Sequence, residues 1–326
     1  MTRKIEIHQV DAFTRQRFTG NPAGVVLNAD SLDDAEMLAI ARELNNADTA
    51  FVLAPQGSDH DVRVRFFTPR MEVGFVGHAT VAAHYVLSRD RRTGRRRQKS
   101  KAGLVEVEIH GEDDERRIAV RQSCPPLGRE LNERERLAVL DSLALASDDL
   151  DIRCPLRIVG SGSTRLIVGV RGSEQLQRLK PDFARLTTLS AQLGAAGYFV
   201  FTLAPERRGS LTESRMFCPA LGIPEDPVSG NAHGLLGAYL AHYELLRRES
   251  TRASFSGSQG HFMNRPGRVD VELEFRDNAL DAVWIRALVS FGVIRRCNSS
   301  FASSAAAGAL RQRKVRKRQV AMSYIV

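Results

Sequence analysis

Residues 65–80 read RFFTPRMEVGFVGHAT, and residues 215–233 read RMFCPALGIPEDPVSGNAH, so one chain carries two versions of the same motif. The first part of the match has an offset of 150 residues, pairing Arg65, Phe67 and Pro69 with Arg215, Phe217 and Pro219. The second part has an offset of 153, pairing Gly77, Ala79 and Leu87 with Gly230, Ala232 and Leu240. Two copies at so long a period indicate a duplicated domain, because solenoid repeats are about 20 to 50 residues long. We expect two similar halves whose equivalent loops face each other.

The second copy is three residues longer than the first, and the inserted turn contains two acidic residues. Glu225 and Asp226, followed by Pro227, stand shortly before Gly230. The duplicated scaffold therefore carries different chemistry on its two sides. A turn ahead of a proline is the alternative reason for an aspartate at 226.

The composition is that of a two-domain globular protein. The chain has 326 residues and 43% hydrophobic content, enough for one large core or two ordinary ones. No stretch approaches the ~20 apolar residues that span a bilayer, and the first residues alternate between polar and apolar. We therefore expect a cytoplasmic protein without membrane contact. Four cysteines without a CxxC pair predict neither a zinc site nor a disulfide framework.

The net charge of +9 is concentrated in two places. Residues 89–101 and residues 311–318 hold most of the excess cations, and the remainder of the chain is mildly acidic. Neither run interleaves aromatic residues for base stacking, so we expect a basic loop and a basic tail in solvent. This pattern does not predict nucleic acid as a partner, and a polyanion contact of the basic tail is the alternative.

Hydrophobic periodicity predicts an α/β (α+β) chain in two parts. Residues 1–124 are expected to form the first half, completed by the last strand at about 282–294, and residues 125–281 the second half. Residues 295–326 are expected to be a basic, disordered tail. The CPPLG sequence at 124–128 breaks regular structure and marks the boundary. Within the first half, Ser31 and Asp34 suggest a capping box for a helix.

Each motif places a glycine at the start of a small-residue helix, Gly77 in the first copy and Gly230 in the second. A glycine admits close approach of a ligand to the backbone, and the first N–H groups of a helix attract anions. Two such helix starts across a cleft suit a small carboxylate-bearing substrate. The alternative is that each glycine serves close helix packing.

With these motifs the sequence resembles the phenazine-biosynthesis (PhzF-type) isomerase family. The matching segments, in order, are VDAFT at 10–14, GNPAGV at 20–25, ARELN at 41–45 with ADTAF at 47–51, FTP at 67–69, GHAT at 77–80 and EDPVSGNA at 225–232. The resemblance implies a diaminopimelate epimerase-like fold, with two pseudo-symmetric halves, each a curled, mostly antiparallel sheet around a central helix. It also implies a homodimer and an active site between the halves.

The resemblance implies a role for seven residues. Asp48 matches the catalytic glutamate of the family, and His78 and Asp226 handle protons or hold substrate polar groups. Asn21, Gly77, Gly230 and Asn231 are implied to bind the substrate. Aspartate is one methylene shorter than glutamate, and a misplacement of about an ångström can cost ~100-fold in rate. A turn-capping role for Asp48 and a helix-start hydrogen bond for His78 are the structural alternatives.

Several other chemistries are excluded on the residues themselves. Val76 and Ser229 occupy the positions where related epimerases carry two cysteines, and valine cannot carry a proton, so a two-thiol racemase is excluded. The histidines show no metal-ligand spacing, so no metal is expected. No cofactor is predicted, because the motifs contain no lysine for a Schiff base and no phosphate-binding pattern.

Three candidate functions remain to be tested. The first is a cofactor-independent isomerase that moves a proton within a small carboxylate-bearing substrate. The second is a related epimerase or dehydratase of an amino or hydroxy acid. The third is a catalytically silent small-acid binding protein.

Overall fold

The computed structural model describes residues 3–89, 93–112, 115–299 and 323–324. Much of the tail expected at 295–326 lies outside these residues. The elements of the first part of the chain are β1 (Arg3–Ala12), β2 (Asn21–Val26), α1 (Asp34–Leu44), β3 (Asp48–Leu53), β4 (Val62–Phe67), β5 (Glu72–Val73), α2 (Gly77–Ser88), β6 (Gly94–Ser100), β7 (Gly103–His110) and β8 (Arg117–Gln122).

The second part of the chain repeats this order with two additional helices near its start. Its elements are β9 (Leu127–Glu130), α3 (Glu133–Leu143), β10 (Arg157–Val159), β11 (Arg165–Val170), α4 (Ser173–Arg178), α5 (Phe183–Leu193), β12 (Tyr198–Thr202), β13 (Thr212–Cys218), β14 (Ile223–Asp226), α6 (Gly230–His242), β15 (Arg248–Glu249), β16 (Arg252–Gln259), β17 (Gly267–Arg276), β18 (Ala279–Ser299) and β19 (Ser323–Tyr324).

The two parts share one strand topology. In the first, β1–β2 is antiparallel, β2–β3 parallel, β3–β4 antiparallel, β4–β6 parallel, and β6–β7 and β7–β8 antiparallel. The same sequence of pairings recurs as β10–β11, β11–β12, β12–β13, β13–β16, β16–β17 and β17–β18. The duplication seen in the motif thus extends over the whole architecture.

Each sheet curls around a helix that is buried on almost every side. In α2 nine of the twelve residues are buried, and in α6 ten of the thirteen. A helix that is apolar all round must lie inside a core rather than on a surface. The small side chains of both helices allow close contact with the surrounding strands, and α2 and α6 also contact each other. The two helix starts are thereby brought to the junction of the halves.

One long strand, β18, belongs to the sheets of both halves. Its residues 279–288 pair with β17 and β8, and its residues 289–299 pair with β1. We call the pairing of β18 with β1 and β8 the strand exchange. At the start of the second half, β9 pairs with β10. β18 begins three residues before and ends five residues after the strand expected at 282–294; the boundary at residue 124 stays a prediction.

The expected basic loop at 89–101 is wrong for most of its length, because residues 94–100 form strand β6. Arg95 and Arg97 are exposed, whereas Gln98 is buried between His84 and Thr80. The strand therefore has one solvent face and one core face, and the arginines occupy the solvent face. The capping box of α1 is also displaced: Asp33 and Glu36 form it, rather than Ser31 and Asp34.

Gly20 shapes the loop that leads into Asn21. Gly20 has a φ of 63°, and a Cβ there would lie 2.2 Å from the carbonyl oxygen of Ala12, so only glycine fits immediately before Asn21. Within the described part of the chain, no helix combines the length and apolar content that a bilayer crossing requires.

Candidate active site

The predicted site residues lie at the ends of five elements that meet at the junction of the halves. We call the space beside them, open at Gly77, the cleft. Asn21 and Asp48 are the first residues of the parallel neighbours β2 and β3, in which Ala23 is opposite Asp48. His78 is the second residue of α2. Asp226 ends β14 and Asn231 is the second residue of α6. Side chains from the two halves therefore meet, because element ends rather than element middles face the junction.

Asn21, from the first half, connects to the second half by hydrogen bonds. Its Nδ2 donates to Oδ1 of Asp226 at 2.8 Å and to the carbonyl oxygen of Val228 at 2.8 Å. Both amide hydrogens are thus used within the protein, while its buried Oδ1 has no partner among the described residues. The amide of Asn21 orients the Asp226 carboxylate, which leaves only its oxygen for the substrate-binding role.

Asp48 and His78 form the wall of the cleft that belongs to the first half, and Asp226 lies on the wall that belongs to the second half. The distance from His78 Nε2 to Asp48 Oδ2 is 3.7 Å, and the two side chains are 10% and 11% exposed. Burial lowers the pKa of His78 to about 4, so the imidazole is neutral at pH 7. The contact is therefore neither an ion pair nor a direct hydrogen bond at this distance. The buried Nε2 has no partner in the described part of the protein.

The two aspartates both hold protons more tightly than an ordinary carboxyl group. Burial and, second, the charge of Asp226 raise the pKa of Asp48 to about 7. Burial raises the pKa of Asp226 to about 6, against the opposing charge of Arg165 and hydrogen bonds from Asn21, Ser229 and the Val228 backbone. A carboxyl group that titrates near neutral pH can both accept and return a proton.

The two helix-start glycines differ in their surroundings. A Cβ built on Gly77 meets no other heavy atom within 4 Å, so open space adjoins the start of α2. A Cβ on Gly230 would lie 2.7 Å from Cζ of the buried Phe13. Packing against Phe13 is sufficient reason for the glycine at 230, as the structural alternative supposed. Only the Gly77 side leaves room beside the helix for a ligand.

The start of α6 is held by a serine where α2 has a valine. Ser229 caps the helix by accepting from the Ala232 N–H at 3.3 Å and also hydrogen-bonds Asp226. Val76 has no side-chain cap bond. Asn231, which occupies the position of His78 in the second copy, has a buried Nδ2 without a partner among the described residues. The two helix starts thus have the same backbone arrangement but different side chains, and the titrating His78 of the first is replaced by Asn231 in the second.

Sequence reasoning missed two residues that contact or influence Asp226. Gln259 is 1% exposed, donates from Nε2 to the Asp226 carbonyl oxygen at 2.6 Å, and accepts from the Ser229 N–H at 3.0 Å. Arg165 supplies the positive charge that lowers the pKa of Asp226. Arg165 and Gln259 lie in no motif, so the sequence alone offered no signal for them.

Three of the cysteines are free thiols. Cys154 and Cys218 are buried free thiols, and Cys124 is a half-buried free thiol. Burial raises the pKa of Cys218 to about 12, so the thiol stays protonated. Across the described ranges, no cluster of three or more histidine, cysteine, aspartate or glutamate side chains has an arrangement that could hold a metal ion.

Residues 10–287 match the family described as phenazine biosynthesis-like protein, PhzC-PhzF. The chain belongs to this family. An uncharacterized isomerase, YddE, of Salmonella typhimurium is 42% identical over 284 residues, which is 86% of this chain and 94% of the relative. An uncharacterized isomerase of Clostridium acetobutylicum is 40% identical over 275 residues, 84% of this chain and 91% of the relative. The PhzF-type resemblance is therefore confirmed, and the chain is an isomerase-type enzyme.

Solved structures confirm the fold class. A PhzF-family phenazine biosynthesis protein of Bacillus anthracis superposes with a TM-score of 0.82 at 29% identity, covering 90% of this chain and 99% of the other. A hydroxyproline epimerase of Agrobacterium vitis superposes with a TM-score of 0.58 at 11% identity, covering 90% of this chain and 92% of the other. At that identity the second likeness shows a shared fold alone.

Proposed function

We propose that this PhzF-family protein is a cofactor-independent isomerase that moves a proton within a small carboxylate-bearing substrate. Asp48 acts as both base and acid. The observation that carries the proposal is the buried Asp48 carboxyl group, whose pKa is about 7, in a cleft beside the open space at Gly77. Ionised Asp48 takes a proton from an acidic carbon of the substrate, and the resulting carboxylic acid returns it to another carbon. The proton count of the enzyme is unchanged after one cycle.

The surrounding residues support charge development on the substrate. Removing a proton from carbon leaves a negative charge, which the partial positive charge at the start of α2 stabilises. Neutral His78 offers an unpartnered Nε2 to a substrate atom without adding a competing charge. Burial and, second, the charge of Asp226, which Asn21 holds in place, raise the pKa of Asp48 and so keep the base near the working pH.

Epimerisation at a single carbon is a second candidate, because Asp48 and Asp226 stand on opposite walls and both titrate near neutrality. One carboxylate would then remove a proton from one face, and the other would return a proton to the opposite face. Chiral chromatography of the recovered substrate separates the two candidates. Inversion without movement of a double bond favours epimerisation, and a shifted double bond favours the isomerase.

The decisive test is solvent exchange. A panel of small unsaturated carboxylic acids, amino acids and hydroxy acids is incubated with the protein in deuterium oxide, and deuterium at carbon is followed by proton NMR. We expect wild type to exchange at least one panel member and Asp48→Asn to lose about 10²- to 10⁴-fold of that rate, the usual contribution of a general base. Asp48→Glu should keep part of the rate because it keeps a carboxylate.

Asp141→Asn is the matched control, since its carboxylate is 67% exposed on α3. It should exchange at the wild-type rate. Exchange that survives unchanged in Asp48→Asn would exclude Asp48 as the base.

A further inference from the structure

Arg165 is a buried cation that forms no direct ion pair with the described residues. The residue is 7% exposed, and within the described ranges no carboxylate oxygen lies within 4.0 Å of its guanidinium. Nη1 donates to the carbonyl oxygen of Thr164 at 2.8 Å, while the buried Nε has no partner in the described part of the chain. A buried charge is normally paired, because desolvation without compensation costs several kcal/mol.

Other arginines of the chain show how this protein treats the same group. Arg215 donates from Nε and Nη2 to the two oxygens of Glu225, both at 2.9 Å. Arg65 makes the same bidentate contact with Glu72, at 2.8 and 3.0 Å. In Arg165 the Nε that completes this fork has no partner among the described residues. An Nε–H group of arginine is one half of the fork that a carboxylate accepts from most favourably.

The strand register places Arg165 at the cleft. It begins β11, which holds the position of β2 in the other half, and the register aligns it with Ala23, two residues after Asn21 and so on the same face of the strand. The next residue, Leu166, donates its N–H to the Gly197 carbonyl oxygen at 2.9 Å. The charge of Arg165 acts on Asp226 and on Cys218, so the guanidinium lies on the wall that carries Asp226.

We propose that Arg165 binds the carboxylate of the substrate and selects anionic over neutral substrates. The carboxylate supplies the direct ion pair that Arg165 lacks among the described residues, and it accepts a hydrogen bond from Nε. Anchored on the Asp226 wall, the substrate directs its acidic carbon toward the opposite wall, where Asp48 lies. The inference deepens the proposed function and rests on it for the reaction that follows binding, but the binding step is measurable without any turnover.

The test uses benzoate and its neutral isostere benzamide, which have the same ring and differ in charge. Both are titrated by calorimetry into the full-length Asp48→Asn protein, in which proton transfer is removed. We expect benzoate to bind at least tenfold more tightly than benzamide. Adding Arg165→Met should abolish that preference, and Arg165→Lys should keep part of it because the charge remains without the fork. Arg185→Met, at a side chain that is 51% exposed on α5, is the matched control and should change nothing.

A stability measurement separates a binding role from a structural one. Because an unpaired buried charge opposes folding, ligand-free Arg165→Met should resist urea at least as well as its parent. Equal preference for benzoate with and without Arg165, no preference for benzoate in the parent protein, or a clear loss of ligand-free stability in Arg165→Met overturns the inference. Absence of deuterium exchange in wild type would instead count against the proposed reaction, whatever the benzoate result.

Discussion

At the scale of the residue, Asp48 reduces the stability of the protein as pH rises. Its pKa is about 7 in the folded protein against an ordinary 3.8, because burial opposes ionisation. Below about pH 4 the group is protonated in both the folded and unfolded states and costs nothing. Between pH 4 and pH 7 the unfolded chain releases the proton first, so the free energy of unfolding falls, and the full cost remains at higher pH.

Asp48→Asn should therefore raise the free energy of unfolding relative to wild type at pH 8, with the advantage disappearing near pH 4. At 1.36 kcal/mol per pKa unit the gain is about 2 to 4 kcal/mol. Urea unfolding at a series of pH values measures it, with Asp141→Asn as control. A difference that does not change with pH would show that Asp48 is not buried as an ionisable group.

How far single residues could be predicted depended on whether their role is local. Asn21, Asp48, His78 and Asp226 stand in recognisable motifs, and the structure places them around one cleft. Arg165 and Gln259 stand in no motif. The role of Arg165 follows from strand register and from its buried Nε, and the role of Gln259 follows from its hydrogen bonds to Asp226 and Ser229. None of these is visible before distant segments are paired.

At the scale of the element, the two central helices begin alike for different reasons. The open space at Gly77 and the contact of Gly230 with Phe13 separate ligand access from packing. Gly77→Ala should leave the free energy of unfolding within about 0.5 kcal/mol of wild type, the usual range where no contact is disturbed. It should nevertheless reduce deuterium exchange, because the methyl group enters the cleft.

Gly230→Ala should lower the free energy of unfolding by about 1 to 3 kcal/mol, the usual cost of overpacking a core. Phe13 cannot easily move away, since it is 1% exposed. Urea unfolding and the exchange assay on the two variants provide the comparison. Equal destabilisation by both substitutions would show that the two helix starts are packed in the same way.

Elements were predicted well where hydrophobic periodicity was clear and poorly where charge concealed it. The helices α2 and α6 begin at the glycines expected from the two motifs, Gly77 and Gly230. Strand β6 was missed because its solvent face carries arginines, and only Gln98 faces the core. Strand β16, which also escaped prediction, alternates small polar residues with a few apolar ones. A polar strand is fixed by its neighbours in the sheet more than by its own sequence.

At the scale of the whole molecule, Arg265 connects the halves. Its Nη2 donates to Asp11 at 2.7 Å and to the Thr19 carbonyl oxygen at 3.0 Å, and its Nε donates to the Gly20 carbonyl oxygen at 2.9 Å. Thr19 and Gly20 immediately precede Asn21 in the chain, and Asp11 lies across the loop from it. The contact thus holds the loop that aligns Asn21 with Asp226.

Arg265→Ala should lower the free energy of unfolding by about 3 to 5 kcal/mol, because it leaves the Asp11 carboxylate buried without its partner. Arg276→Ala is the control, since that side chain is 77% exposed beside Asp281 and should cost at most about 1 kcal/mol. Urea unfolding measures both, and the exchange assay reports the alignment of the cleft. Similar losses in the two variants would argue against a connecting role for Arg265.

The strand exchange also sets an order for biosynthesis. Strand β1 has β2 on one edge soon after synthesis, but its other edge is paired by residues 289–299. During translation that edge stays open while the more than 250 residues between β2 and this segment are made. A nascent chain with an open edge is vulnerable to wrong pairing with its neighbours. Completion of the sheet that contains β1 therefore waits for the synthesis of residues 289–299.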